Sequence, residues 1–213
     1  MRDRYHNDLD KVVDRLLELF GNVERAIAQA TRALLEADHE LAGQVVASDH
    51  AVDALCREIE AIAIDLQMRQ QPVAYDLRLL LTTQRILADL ERSGDLAKNI
   101  AKQARRRHPD QVVPEQMRDT VAAMGKAAET LLNKARLVFE NEDAELARRL
   151  DVEDDYVDAL HRDLLAQVIA SSRTESVETA VDLTLIGRFY ERFADHAVAI
   201  ARQVVYLSTG ELV

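Results

Sequence analysis

The chain has 213 residues, a formal charge of −11, six Gly, three Pro and only 4% aromatic residues. That length accommodates one large domain or two small ones, and scarce Gly and Pro beside abundant Ala, Leu, Arg, Glu and Asp point to an all-α fold. The acidity argues against a nucleic-acid binder, and the single Cys56 excludes a disulfide framework and suits a reducing compartment.

The first helical pattern runs from about Asp8 to Ala37, with Leu9, Val12, Val13, Leu16, Leu19, Val23, Ile27, Ala30 and Leu34 spaced by threes and fours. Asp38 reads as an N-cap, and the apolar face restarts at Leu41, Val45, Val52, Leu55, Ile59, Ile62 and Leu66. Gln71-Pro72 stops that helix. Asp76 is a candidate cap for a third, which carries Leu77, Leu80, Leu87, Leu90, Ala97 and Ala101. It ends at Arg105-Arg106-Arg107-His108-Pro109, where the basic run complements the helix C-terminal dipole and Pro forbids continuation. Arg105, Arg106 and Arg107 are also a candidate partner-docking patch.

Gln111-Val112-Val113-Pro114 reads as a linker, and three further helices are expected at about Glu115–Glu140, Ala144–Ser171 and Ser176–Ser208. Long helices joined by short turns predict antiparallel bundles. No apolar run approaches the ~20 residues of a membrane span and no signal-peptide segment opens the chain. A soluble cytoplasmic protein, reaching a membrane only through partners, is expected.

The two halves are copies. Asp49-His-Ala-Val-Asp-Ala-Leu-Cys-Arg matches Asp154-Asp-Tyr-Val-Asp-Ala-Leu-His-Arg at an offset of 105 (154 − 49), which falls to 100 (191 − 91) in the last helix of each half. The simplest account is a tandem duplication of a three-helix unit, residues 1–109 and 110–213, with about five residues lost near the turn that Pro72 marks.

Certain polar positions survive the duplication as identities. Asp49 and Asp53 recur as Asp154 and Asp158, and Glu91 and Asp95 as Glu191 and Asp195. Each pair is spaced i,i+4, so the two carboxylates share a helix face and repel by a few tenths of a kcal/mol. If the middle and last helices of a half are neighbours, four carboxylates meet there. Small residues along the seam, Gly94 and Ala97 in one copy, Ala194 and Ala197 in the other, permit close approach.

Such a cluster must take up protons or cations. One outcome is ion pairing with the repeated arginines: Arg57 near Asp53, Arg162 near Asp158, and Arg92 and Arg192 beside each Glu. The other is a metal site. Oxygen donors favour Mg²⁺, Ca²⁺ or Mn²⁺, and Zn or Fe also accept carboxylates. Asn99 adds an oxygen to the first cluster, whereas its counterpart is Ala199, so the second site is expected to be the poorer. His196 reads as a surface or interface histidine.

Gln71-Pro-Val-Ala-Tyr-Asp-Leu-Arg78, Leu90-Glu-Arg-Ser-Gly-Asp95 and Gly187-Arg-Phe-Tyr-Glu-Arg-Phe-Ala-Asp195 resemble the PhoU family, in a form similar to its actinobacterial members. The resemblance covers essentially the whole chain. It implies two three-helix bundles, metal on the acidic faces of some members, and a dimer. It also implies a cytoplasmic negative regulator of the phosphate-starvation response, linking the ATPase subunit of the phosphate ABC transporter to a sensor histidine kinase. The family's acidic positions fall on Asp49, Asp53, Glu91, Asp95 and Asn99, then Asp154, Asp158, Glu191 and Asp195. Ala194 and Ala199 depart from the family's usual Gly and Asn.

No nucleophile with its base and no phosphate-cradling Gly-rich loop is present, so an adaptor without catalysis is the leading expectation. A carboxylate-bridged metal store or oxidase needs Glu-x-x-His on two helices, and only Glu36-Ala-Asp-His39 fits. A metal-free scaffold with salt-bridged acids is the third reading.

Overall fold

The computed structural model describes residues 2–171 and 173–211. Six long helices follow in order: α1 (Arg2–Glu36), α2 (His39–Gln70), α3 (Ala74–Arg107), α4 (Arg118–Asn141), α5 (Ala144–Ala170) and α6 (Val177–Thr209). A 3-10 turn at Glu115–Met117 precedes α4, which is therefore shorter than its expected Glu115 start. Among the described residues no helix is long and apolar enough to cross a membrane.

Local signals set most helix ends. The Asp38 side chain accepts from Leu41 N at 2.9 Å, and its copy Asp143 caps α5 through Glu145 N and Leu146 N. Ser176 caps α6 by accepting from Thr179 N. At α3 the expectation fails: the N-cap is Val73, without a side-chain bond, and Asp76 lies within the first turn. There its carboxylate faces the positive end of the helix dipole and accepts from the Tyr5 hydroxyl at 3.1 Å. That same contact gives α1 a tertiary anchor ahead of Asp8, and the helix runs from Arg2. The residues missing from the second copy come from a helix end, since α5 has 27 residues and α2 has 32.

Helices α1, α2 and α3 form one three-helix bundle, α4, α5 and α6 the other. The bundles join through α1 against α4 and α3 against α6, and one continuous core crosses the join. Leu16, Phe20, Leu90, Tyr190 and Phe193 are fully buried in it; each large apolar side chain removed from water contributes about 1.5–3 kcal/mol. Val112 and Val113 of the linker are buried too, so the tether is part of the core. Leu77, expected on the core face, is exposed instead, because the first turn of α3 sits at a hairpin tip.

Helices α3 and α6 run antiparallel. Arg78 Nε donates to Leu207 O, Asp89 holds His196, and Arg107 meets Glu178. With the offset of 100 in this element, equivalent residues near Ser93 and Phe193 meet at the crossing, which is the signature of a pseudo-two-fold relation between the halves. Helices α1 and α4 cross closely at Thr31 and Gly125, where a Cβ on the glycine would sit inside van der Waals contact of the threonine side chain.

Candidate functional site

In the first half, α2 and α3 approach so closely that a Cβ at Gly94 would come within 3.2 Å of Val52 and 3.9 Å of Asp49. The approach buries Asp49 and brings it opposite Asp95. Between them lies Lys98, with Nζ 2.6 Å from Asp49 Oδ2 and 2.5 Å from Asp95 Oδ1. Burial works against its ammonium, but the hydrogen bonds and charges of the two aspartates outweigh it and hold the Lys98 pKa above the ordinary lysine value.

The remaining acids of this half lie elsewhere. Asp53 and Glu91 face a separate cleft with Arg57, Glu60 and Cys56. The Cys56 thiol is pushed up to about 12, first by burial and then by Glu91, Asp53 and Glu60, with Arg57 opposing. Such a thiol is inert at neutral pH. Asn99 lines a cleft between α3 and α6 that Asp95 and Lys98 also line. The expected single cluster of four carboxylates is therefore divided, and its compensating cation is a lysine of the chain. Among the described residues, none of Arg57, Arg92, Arg162 and Arg192 forms an ion pair with these acids.

The second half reverses this. Lys98 corresponds to Val198, which is buried and carries no charge. Asp154 is raised to about 6, first by burial and then by the charges of Asp195, Asp158, Asp155 and Glu191. Glu191 pairs with Arg188, and no ion pair reaches Asp158 or Asp195 among the described residues. The copy expected to be the poorer cation site on the strength of Ala199 is thus the one with uncompensated charge. No three His, Cys, Asp or Glu side chains among the described residues are already arranged to hold a metal ion.

The basic run at the end of α3 turns inward. Arg106 pairs with Asp182, whose side chain is fully buried, and Arg107 lies 2.6 Å from Glu178 and 3.3 Å from Thr179 Oγ1. Two of the three arginines nominated for docking thus clamp the N-terminal turns of α6 to the first half, and only Arg105 remains exposed without a partner. Sequence reading missed Lys98, although its spacing of three from Asp95 was visible. It also missed Asp182, because a lone acid on an apolar face carries no local signal of its partner. His196 is an interface residue: its Nδ1 lies 2.9 Å from Asp89 Oδ1 across the α3–α6 seam.

Comparison with known proteins adds to this geometry. The PhoU domain matches the chain twice, over residues 16–104 and 121–204. The chain is 42% identical over 210 residues to phosphate-specific transport system accessory protein PhoU homolog 2 of Mycobacterium tuberculosis, covering 99% of both chains. It is 33% identical over 210 residues to the PhoU homolog of Aquifex aeolicus, covering 97% of this chain and 93% of that one. The crystal structure of PhoU from Pseudomonas aeruginosa superposes with a TM-score of 0.88 at 28% identity, over 97% of this chain and 100% of that one. Two PhoU domains laid end to end, each a three-helix bundle and together spanning nearly the full length of these accessory proteins, make this chain a member of the PhoU family.

Proposed function

We propose that the protein is an accessory regulator of phosphate uptake that acts without catalysis, docking in the cytoplasm on the ATPase subunit of a phosphate transporter and linking it to a sensor histidine kinase. The observation that carries the docking is a duplicated apolar exposure. Leu77, Leu81 and Ile64 are exposed in the first half, and their equivalents Val177, Val181 and Ile169 are exposed in the second. Exposed apolar residues at matching places in both copies mark an interaction surface more than chance would. The antiparallel pairing of α3 and α6 puts the two patches at opposite ends, so a partner with two equivalent sites is gripped twice and gains in avidity. The names of the relatives support a phosphate transport system as the setting.

The test is co-purification of the transporter ATPase with Leu81→Glu, Val181→Glu and the double variant. Each single change is expected to weaken capture and the double change to abolish it. Undiminished capture by the double variant removes this docking surface.

A second reading concerns metal. The first half does not fit a metal ion, since Lys98 already occupies the space between Asp49 and Asp95. The second half offers carboxylate oxygens of Asp154, Asp158 and Asp195, which no ion pair reaches among the described residues, with Glu191, paired to Arg188, beside them. That donor set suits Mg²⁺ or Mn²⁺, with Zn or Fe as softer alternatives, and the ion would have to draw the side chains together. Titration calorimetry with Mn²⁺, comparing the native chain with Asp154→Asn and Asp49→Asn, is expected to lose binding only in the former. Loss in the latter alone reverses the assignment.

A further inference from the structure

A cleft of about 550 Å³ opens between α3 and α6 beside their crossing. Its walls carry Arg92, Asn99 and Lys102 from α3, and Arg192 and His196 from α6. Arg92, Lys102 and Arg192 make no ion pair or hydrogen bond among the described residues. In a chain with 38 acids against 27 Lys and Arg, unpaired cations have many available partners, so three of them facing one concavity is an arrangement against the charge balance. Like charges around a cleft repel, and an anion between them offsets that cost.

Two carboxylates temper the site without neutralising it. Asp89 is engaged by His196 Nδ1, and Asp95 gives Oδ1 to Lys98. The second oxygen of Asp95 has no hydrogen-bond partner among the described residues, and the residue lines the cleft.

We infer that this cleft binds a phosphate-class oxyanion that carries a proton, free hydrogenphosphate. The two guanidinium groups supply planar forks suited to tetrahedral oxyanions, and Lys102 supplies a third charge. The Asp95 acceptor selects for an O–H on the ligand. Sulfate at neutral pH has none and sets an unprotonated oxygen against that carboxylate, so it is expected to bind more weakly. Arg92 and Arg192 are equivalents under the duplication, so the site straddles the pseudo-two-fold crossing and neither half contains it alone. Only its physiological meaning, direct sensing of phosphate by a regulator of phosphate uptake, rests on the function proposed above.

The experiment is titration calorimetry of the full chain with inorganic phosphate, glycerol 3-phosphate and sulfate, each to about 5 mM, the range of weak binding. Inorganic phosphate is expected to bind, and Arg92→Gln with Arg192→Gln to weaken it by about tenfold or more, equal to about 1.4 kcal/mol. Glycerol 3-phosphate, whose phosphoryl group is mostly dianionic at neutral pH and has no O–H, is expected to bind more weakly than inorganic phosphate. Both arginines are exposed, so melting curves of the variant should match the parent and separate a lost site from a lost fold. Lys102→Gln should give a smaller loss. Sulfate or glycerol 3-phosphate binding as tight as phosphate, binding undiminished in the double variant, or no binding of inorganic phosphate each overturns the assignment. Capture of the transporter ATPase is a separate readout, so failure here leaves the docking proposal intact.

Discussion

The Lys98 ammonium, on α3, lies 2.6 Å from the buried Asp49 carboxylate on α2, and in the duplicated half the lysine is Val198. One ancestral acidic face has thus been neutralised from within in one copy and left charged in the other. The consequences for stability are opposite in sign.

Lys98→Met should be strongly destabilising, because it leaves Asp49 buried without a counter-charge. Breaking a buried pair costs about 3–5 kcal/mol, and the partial exposure of Lys98 and Asp95 brings the expectation to about 2–3 kcal/mol. Asp49→Asn in the same chain should recover part of the loss. Urea denaturation of both variants measures it; a single-variant loss below about 0.5 kcal/mol means the pair is only a surface contact.

Asp154 should make the chain less stable as pH rises. Its folded-state pKa of about 6 lies above the ordinary carboxyl value near 4, so between those limits the folded chain binds more protons than the unfolded one. The slope of stability against pH is then negative across that window, and the contribution is fully present only below it. In chelator-containing buffer, Asp154→Asn should flatten the profile and stabilise the chain at neutral pH. The side chain is half-exposed, so about 1 kcal/mol is the ceiling after solvent screening. Thermal melts at mildly acid and neutral pH, compared between the two proteins, test the sign.

Gly125→Ala should loosen the α1–α4 crossing. The new methyl meets Thr31, whose hydroxyl lies 2.9 Å from the Tyr190 hydroxyl and also donates to Ile27 O. Overpacking of this kind costs about 1–3 kcal/mol. Thr31→Ala should relieve much of it, and a double-mutant cycle should show a coupling of about 1 kcal/mol or more. Additive effects would mean that the methyl is accommodated elsewhere.

Asp182→Ala should separate the two halves more than it disturbs either. The acid is fully buried, and it holds Arg106 and Arg107 at the α3–α6 seam. Removing it should cost about 3 kcal/mol and leave Arg106 without its partner, while Arg107 keeps Glu178. Hydrogen exchange should show lost protection at the C-terminal turns of α3 and the N-terminal turns of α6, with the centre of α5 unchanged. Uniform loss across all helices would indicate a general core defect.

Much of this protein is fixed by local and periodic signals. The six helices follow from apolar spacing, the caps at Asp38 and Asp143 from a short carboxylate side chain that reaches the first-turn N–H groups, and the duplication from identities at a constant offset. Each of these is a short-range property, set by residues three or four apart or by comparison of the chain with itself. Which charge meets which is different, because it depends on how helices distant in sequence are rotated against one another. Asp49 and Lys98 are joined only once α2 lies on α3, and Arg92 and Arg192 face one cleft only once α3 lies antiparallel on α6. The acidic repeat was legible in the sequence, but whether each copy found its cation inside the fold was decided by packing.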